Sequence, residues 1–344
     1  MKRMLLQFLL LPSLLSFVNA QEQQFAKIGD LKLDNGEVIR DCAVGYRVFG
    51  QMDANQSNVV VFPTFLGGRS ADLADRIGPG KLVDSTRYYV IAIDSLADGV
   101  LSSPSNSKTQ AGALFPKISI RDMVNAEHAM LNDALHLRHV HAIMGFSMGG
   151  MQAFEWAVSY PEFMDSIISI VGSPQLTSWD MLLWRTELLA AESDPEWNHG
   201  NYTKAPKLHL MDSVFALALT TPEYVATKTP AKDFDKYFAE QADDGSFDAN
   251  DTIWQIEAIL TQDIAARFGG SLERAAEAIN VPMLIVVNGQ DRLVNPLTSI
   301  QFAKLQIAKR GKATLLVLDS NCGHRAHQRE QTKIGQAAAD FLER

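Results

Sequence analysis

Residues 145–150 read Gly-Phe-Ser-Met-Gly-Gly and lie between segments of different character. Ahead of them, residues 140–144 form an apolar run suited to a buried strand; behind them, residues 151–160 set Gln152, Glu155 and Trp156 among small and apolar neighbours, as a helix would. A chain that passes from strand to helix through G-x-S-x-G must turn sharply, lifting the serine hydroxyl clear of the sheet. Glycine is needed where strand and helix cross too closely for a side chain. Ser147 is therefore the candidate nucleophile, set against the alternative of an ordinary Gly-rich strand-to-helix turn.

The rest of the chain supplies a sheet for this turn to stand on. Residues 25–50 alternate apolar and polar positions around Asp34-Asn35-Gly36-Glu37, which predicts an antiparallel hairpin at a sheet edge. Val59-Val60-Val61-Phe62 and residues 88–93 are continuous apolar runs suited to strands covered on both faces. Residues 120–137 carry a helical period, and residues 166–171 a further strand. Between 176 and about 270 there are helical patterns, polar breaks and no clear strand. Strands expected at 281–287 and 314–318, with helices at 297–310 and from 329, then restore the α/β rhythm. The fold class predicted is α/β: a mostly parallel, doubly wound sheet, first part 21–174 and second part 271–344, with a helical cap inserted at 175–270.

A serine hydroxyl needs a base to take its proton, and the base needs an acid to fix its tautomer. Asp291 and His324 are the candidates, because each leaves a predicted strand at the end where Ser147 would stand, in the chain order Ser, Asp, His. Asp319 is a rival acid but lies too close to His324 along the chain. His327 is a rival base but falls at the start of a helix and lacks a preceding glycine. Cys322, His324 and His327 make a weak metal signal with no clear fourth ligand, so neither metal nor cofactor is expected. The oxyanion donors expected are the backbone N–H groups of Met148, at the start of the helix, and Leu66, in Pro63-Thr64-Phe65-Leu66-Gly67-Gly68.

Residues 1–20 carry Lys2 and Arg3, then a mostly apolar stretch, then Val18-Asn19-Ala20, the pattern of a secretory signal peptide cleaved after Ala20. Export to a periplasm or beyond is the expectation, with no stable membrane insertion after cleavage. A net charge of −9 argues against nucleic acid as a partner, and 47% hydrophobic content supports a sizeable core. The two cysteines, Cys42 and Cys322, can pair or remain free thiols.

The long stretches Phe115-Pro116-Lys117-Ile118-Ser119-Ile120-Arg121-Asp122-Met123-Val124 and 145–157, with Asp194-Pro195-Glu196-Trp197, Gly200, Tyr202 and Asp291-Arg292-Leu293, resemble the homoserine O-acetyltransferase family of the α/β-hydrolase fold. The resemblance covers most of the chain after residue 20. It implies a Ser147, Asp291, His324 triad, an acyl-serine intermediate, a cap shaping the acceptor site and a homodimer joined through the cap. Three departures bear on substrate. Arg325 stands where the family has Asp after the histidine, and Thr64 where it has His. No Arg lies between Arg185 and Arg267, where the family's cap supplies one for a carboxylate. Lys204 and Lys207 are the candidate substitutes, with Arg325 a third substrate-binding candidate. The expected function is an exported esterase acting on a small ester or thioester. The alternatives are acetyl transfer from acetyl-CoA to homoserine or a related alcohol, or a non-catalytic scaffold.

Overall fold

A run such as Val59-Val60-Val61-Phe62 has no polar face to show to water, and in the computed structural model all four side chains are fully covered on both sides of the sheet. The structure describes residues 22–241 and 247–343. The signal peptide expected over residues 1–20 lies outside the described residues.

Among these residues the strands are β1 (Gln24–Lys32), β2 (Val38–Phe49), β3 (Val59–Pro63), β4 (Tyr89–Ile93), β5 (Val140–Phe146), β6 (Met164–Ile170), β7 (Met283–Asn288) and β8 (Ala313–Leu318). They form one sheet in the order β1-β2-β4-β3-β5-β6-β7-β8. β1 and β2 are antiparallel and occupy one edge, with their turn closed by Leu33 and Glu37; from β4 to β8 every pairing is parallel. Alternation along the strands divides the core in two. On β7, Met283, Ile285 and Val287 face one layer, Leu284 and Val286 the other. Parallel strands buried on both faces are what helices on both sides require.

The helices are α1 (Ile120–Ala129), α2 (Met148–Ser159), α3 (Ser178–Glu192), α4 (His209–Leu219), α5 (Pro222–Lys228), α6 (Phe234–Gln241), α7 (Ala249–Ile259), α8 (Leu272–Ala278), α9 (Leu297–Arg310), α10 (Ala326–Arg329) and α11 (Gln331–Leu342). α1, α2 and α9 join one core layer and α11 the other. The helical period expected to run to residue 137 ends earlier as an α-helix: after Ala129 the chain widens into a π-helical turn over Met130–Ala134. The wide turn lets Met130 and Leu131, adjacent in sequence, both bury completely.

Helices α3 to α7 fill the segment expected to form the cap. The last of them is more than a lid. On α7, Trp254 donates to the Phe115 and Pro116 carbonyls and Gln255 to the Leu96 carbonyl, all on loops of the sheet domain. Cys42, on β2, and Cys322, after β8, are buried free thiols towards opposite ends of the sheet. No helix of the described residues is long and apolar enough to cross a membrane.

Candidate active site

Ser147 follows β5 and precedes α2 with φ +51° and ψ −118°, a backbone conformation unusual for a residue with a side chain. The reversal is pinned on both sides. The Ser147 N–H donates to the Ile170 carbonyl at 2.9 Å, and its carbonyl accepts from Met151 N–H at 2.9 Å. The flanking glycines have a steric reason: a Cβ on Gly145 would lie 2.3 Å from the Gly149 backbone, and one on Gly149 would lie 2.6 Å from the Pro63 carbonyl oxygen. Any larger residue at either position pushes the helix off the strand.

Two further loops, after β7 and β8, converge on this serine. His324 Nε2 lies 2.9 Å from Ser147 Oγ, and His324 Nδ1 lies 2.7 Å from Asp291 Oδ2. With the proton on Nδ1 donated to Asp291, Nε2 accepts from the serine hydroxyl. The second Asp291 oxygen, Oδ1, accepts from the N–H groups of Leu293 (2.9 Å) and Val294 (3.0 Å), so the carboxylate cannot swivel. All three residues are nearly covered: Ser147 is 9% exposed, Asp291 6% and His324 5%. Both ring nitrogens of His324 are thus engaged, which leaves none for a metal. The rival acid Asp319 accepts from Gln290 instead. The rival base His327 packs its ring against Phe146, and burial, with the positive charges of Arg76 and Arg325 around it, pushes it down to about 3, so it stays neutral.

The loop after β3 stands beside the elbow because β3 pairs with β5. Its Thr64, Gly67 and Gly68 N–H groups are already engaged, by Ile93, Gln255 and Phe65, which among the described residues leaves those of Phe65 and Leu66 for this loop to offer. Met148 is the first residue of α2, so its N–H belongs to those a helix cannot satisfy internally. Both Leu66 and Ser147 line a cavity of about 250 Å³ that opens between sheet and cap. Thr64 itself is buried: its hydroxyl donates to Ser95 Oγ at 3.0 Å, while its carbonyl accepts from Gln152 of α2. The departure at this position therefore anchors the loop and does not face a substrate.

The three substrate-binding candidates separate. Arg325 lines the Ser147 cavity at its exposed side, near Arg76 and Gln328. Lys204 and Lys207 do not reach it. Both are exposed on the loop ahead of α4, and the cap residues that line the cavity are Trp184, Phe215 and Leu219. The reading of these lysines as substitutes for a carboxylate-binding arginine is corrected accordingly: the cap side of the cavity is apolar, because α4 turns Phe215 and Leu219 inward.

Sequence reasoning missed the residues that hold these loops. Asn288, fully buried at the end of β7, donates to the carbonyls of Ser320 (2.8 Å) and Gly323 (2.7 Å) and accepts from Ser320 N–H (3.0 Å), so it clamps the histidine loop. Asp180 of α3 accepts from Asn295 N–H at 2.8 Å, and Trp179 donates to the Arg292 carbonyl at 2.7 Å, tying the cap to the acid loop. A buried Asn three residues ahead of the acid was the one signal available for this set.

Over residues 58–328 the sequence matches the family described as alpha/beta hydrolase fold. A homoserine O-acetyltransferase from Geotalea daltonii is 29% identical over 353 residues, covering 92% of this chain and 95% of its own length. Among solved structures, the acetyl esterase MekB superposes with a TM-score of 0.86 at 23% identity, covering 95% of this chain and 98% of that one. The homoserine O-acetyltransferase from Bacillus anthracis superposes with a TM-score of 0.83 at 23% identity, covering 94% and 98%. At these identities the superpositions speak for the fold.

Proposed function

We propose that this chain, which belongs to the alpha/beta hydrolase fold family, is an exported ester hydrolase that works through an acyl group carried on Ser147. The observation that supports this most is the buried hydrogen-bonded chain Asp291, His324, Ser147 opening into a cavity. In the first half-reaction His324 Nε2 takes the hydroxyl proton as Ser147 Oγ bonds to the ester carbonyl carbon. The oxyanion that forms is held by the Met148 and Leu66 N–H groups. The carbon–oxygen bond to the alcohol then breaks, and the alkoxide leaves with the proton from His324. In the second half, water gives its proton to His324, attacks the acyl carbon and releases the acid from Ser147, which recovers its proton.

Water is favoured as acceptor by what surrounds the site. Arg325 at the mouth repels an ammonium group, and the cap offers the cavity apolar side chains where an amino-acid carboxylate would need a cation. Export after residue 20 would also separate the protein from acetyl-CoA. A second reading, acetyl transfer to homoserine or a related alcohol, is favoured by the identity to the Geotalea daltonii enzyme. Thiol release from acetyl-CoA, with and without homoserine, separates the two when set beside p-nitrophenyl acetate hydrolysis and a Ser147→Ala blank. Hydrolysis of the ester with no homoserine-dependent thiol release is expected; homoserine-dependent release means transfer. For export, the protein expressed from Met1 is expected in the periplasm with its first residue at position 21, and an uncleaved cytosolic chain would contradict it.

A homodimer through the cap belongs to the same proposal. The cap helices α3, α4 and α6 carry Leu182, Leu189, Leu210, Leu217 and Phe238 at 53–78% exposure, large apolar side chains that favour a partner surface.

A further inference from the structure

Beside the Ser147 cavity lies a second one of about 210 Å³, lined from α3, α4, α7 and the loop after β3. Leu66 and Phe215 belong to the walls of both, so the two adjoin at the proposed oxyanion position. Its wall is mostly apolar, with Leu208, Met211, Phe247 and Ile256, apart from Glu187, Asp212 and Thr252. Glu187 is 1% exposed, and its Oε1 has no hydrogen-bond partner among the described residues. One turn earlier on the same helix, Trp184 lines the Ser147 cavity, is also 1% exposed, and its indole N–H has no hydrogen-bond partner among the described residues.

A buried polar group without a partner is unfavourable, and the Glu187 carboxyl lies on the wall of a cavity. We propose that this second cavity is the subsite for the acyl chain of the substrate, an uncharged chain of several carbons carrying an ether, hydroxyl or carbonyl oxygen that accepts a hydrogen bond from the Glu187 carboxyl group. This rests on Ser147 being the nucleophile and deepens that reading.

Three observations carry it. The first is direction. His324 must protonate the leaving alcohol, so the alcohol lies on the side of His324, Arg325 and Gln328, and the acyl part points the other way, past Leu66 and Phe215. The second is size. About 210 Å³ exceeds the roughly 150 Å³ that receives a benzene ring, far more than an acetyl group fills. The third is charge. Burial, reinforced by Asp212 across from it on α4, pushes Glu187 up to about 9, so it holds its proton and can donate. An anionic chain end would meet Asp212, and a cationic one would have Arg76 and Arg325 on the wall of the adjoining Ser147 cavity.

The test compares kcat/KM for three p-nitrophenyl esters with the same number of chain atoms: 5-methoxypentanoate, heptanoate and 6-aminohexanoate, with the acetate as reference. In the wild type, the ether ester is expected to exceed heptanoate by about fivefold, the worth of one hydrogen bond to an otherwise unpaired buried group. Glu187→Leu should bring that ratio to one or below. Ala249→Leu, which fills the cavity from α7, should lower heptanoate relative to acetate by about tenfold and serves if Glu187→Leu does not fold. A wild-type ratio near one, a ratio unchanged in Glu187→Leu, or a preference for 6-aminohexanoate overturns the proposal. So does acetate hydrolysis that needs Ser147 while all three longer esters are refused, and that result leaves the nucleophile assignment standing. If no ester, acetate included, is turned over in a Ser147-dependent way, the function proposed above fails and the subsite fails with it.

Discussion

Ser147 can be replaced without disturbing its neighbours, because its backbone is held by the Ile170 and Met151 hydrogen bonds and not by its hydroxyl. Ser147→Ala and His324→Ala are therefore expected to fold and to lose about 10⁴- to 10⁶-fold in ester turnover, and Asp291→Asn about 10⁴-fold, through loss of the productive tautomer. Steady-state kinetics on variants shown folded by circular dichroism checks this. Asn288 acts at one remove. Asn288→Ala strands the Ser320 and Gly323 carbonyls, which should cost about 3 kcal/mol of stability and lower kcat with little change in KM for p-nitrophenyl acetate. An equal rise in KM would mean that Asn288 does not act through His324. At this scale the sequence was most legible for residues that chemistry forces into a pattern: the glycines around Ser147, and Asp291 and His324 just past apolar runs. Lys204 and Lys207 misled because charge is visible in a sequence while the face a loop side chain points from is not. Glu187 was invisible for the same reason, as an acid on an exposed-looking helix that proves to be buried.

Among the elements, the loops after β3, β5, β7 and β8 meet because parallel strands put all their carboxyl ends on one edge. The alternation and apolar runs that set the strands were readable. How the cap grips those loops was not, since it depends on contacts over a hundred residues apart. Gly323, at φ +61°, is one such contact: a Cβ there would lie 2.8 Å from the Thr220 backbone at the end of α4. Asp180 is another, holding Asn295 beside the acid. Asp180→Ala removes that hydrogen bond and the capping box it forms with Thr177. It is expected to cost about 1–2 kcal/mol and to lower kcat/KM by loosening the acid loop, measured by thermal melting and by kinetics. Wild-type kinetics in a destabilised Asp180→Ala would show that the cap does not position the acid.

Across the whole molecule, buried acids set a pH dependence, and Glu127 and Glu187 illustrate it. Burial pushes Glu127 up to about 8, partly offset by the Trp156 indole, and Glu187 up to about 9. The folded chain keeps protons that the unfolded chain loses near the ordinary glutamate value of 4.5. The unfolded state binds fewer protons in this window, so stability from these groups falls as pH rises from about 4.5 towards 8 to 9 and is flat beyond. Glu127→Gln and Glu187→Gln should raise the melting temperature at pH 8 and lose that advantage near pH 5; a gain independent of pH would contradict the assignment. The cap surface makes the other prediction at this scale. Leu189→Glu with Leu217→Glu should convert a dimer to a monomer by sedimentation, and a wild type that is already monomeric removes the proposed interface. The proposed dimer came only from family resemblance, because exposed leucines on a helix look like core positions in a sequence.

The most direct test is to react the folded protein with p-nitrophenyl acetate, quench in acid, and map the acetyl group by peptide mass spectrometry. The account predicts acetyl on Ser147 that is lost in water with no alcohol added, and no turnover in Ser147→Ala. Full hydrolysis by Ser147→Ala, or an acetyl-Ser147 that persists until homoserine is supplied, would contradict it.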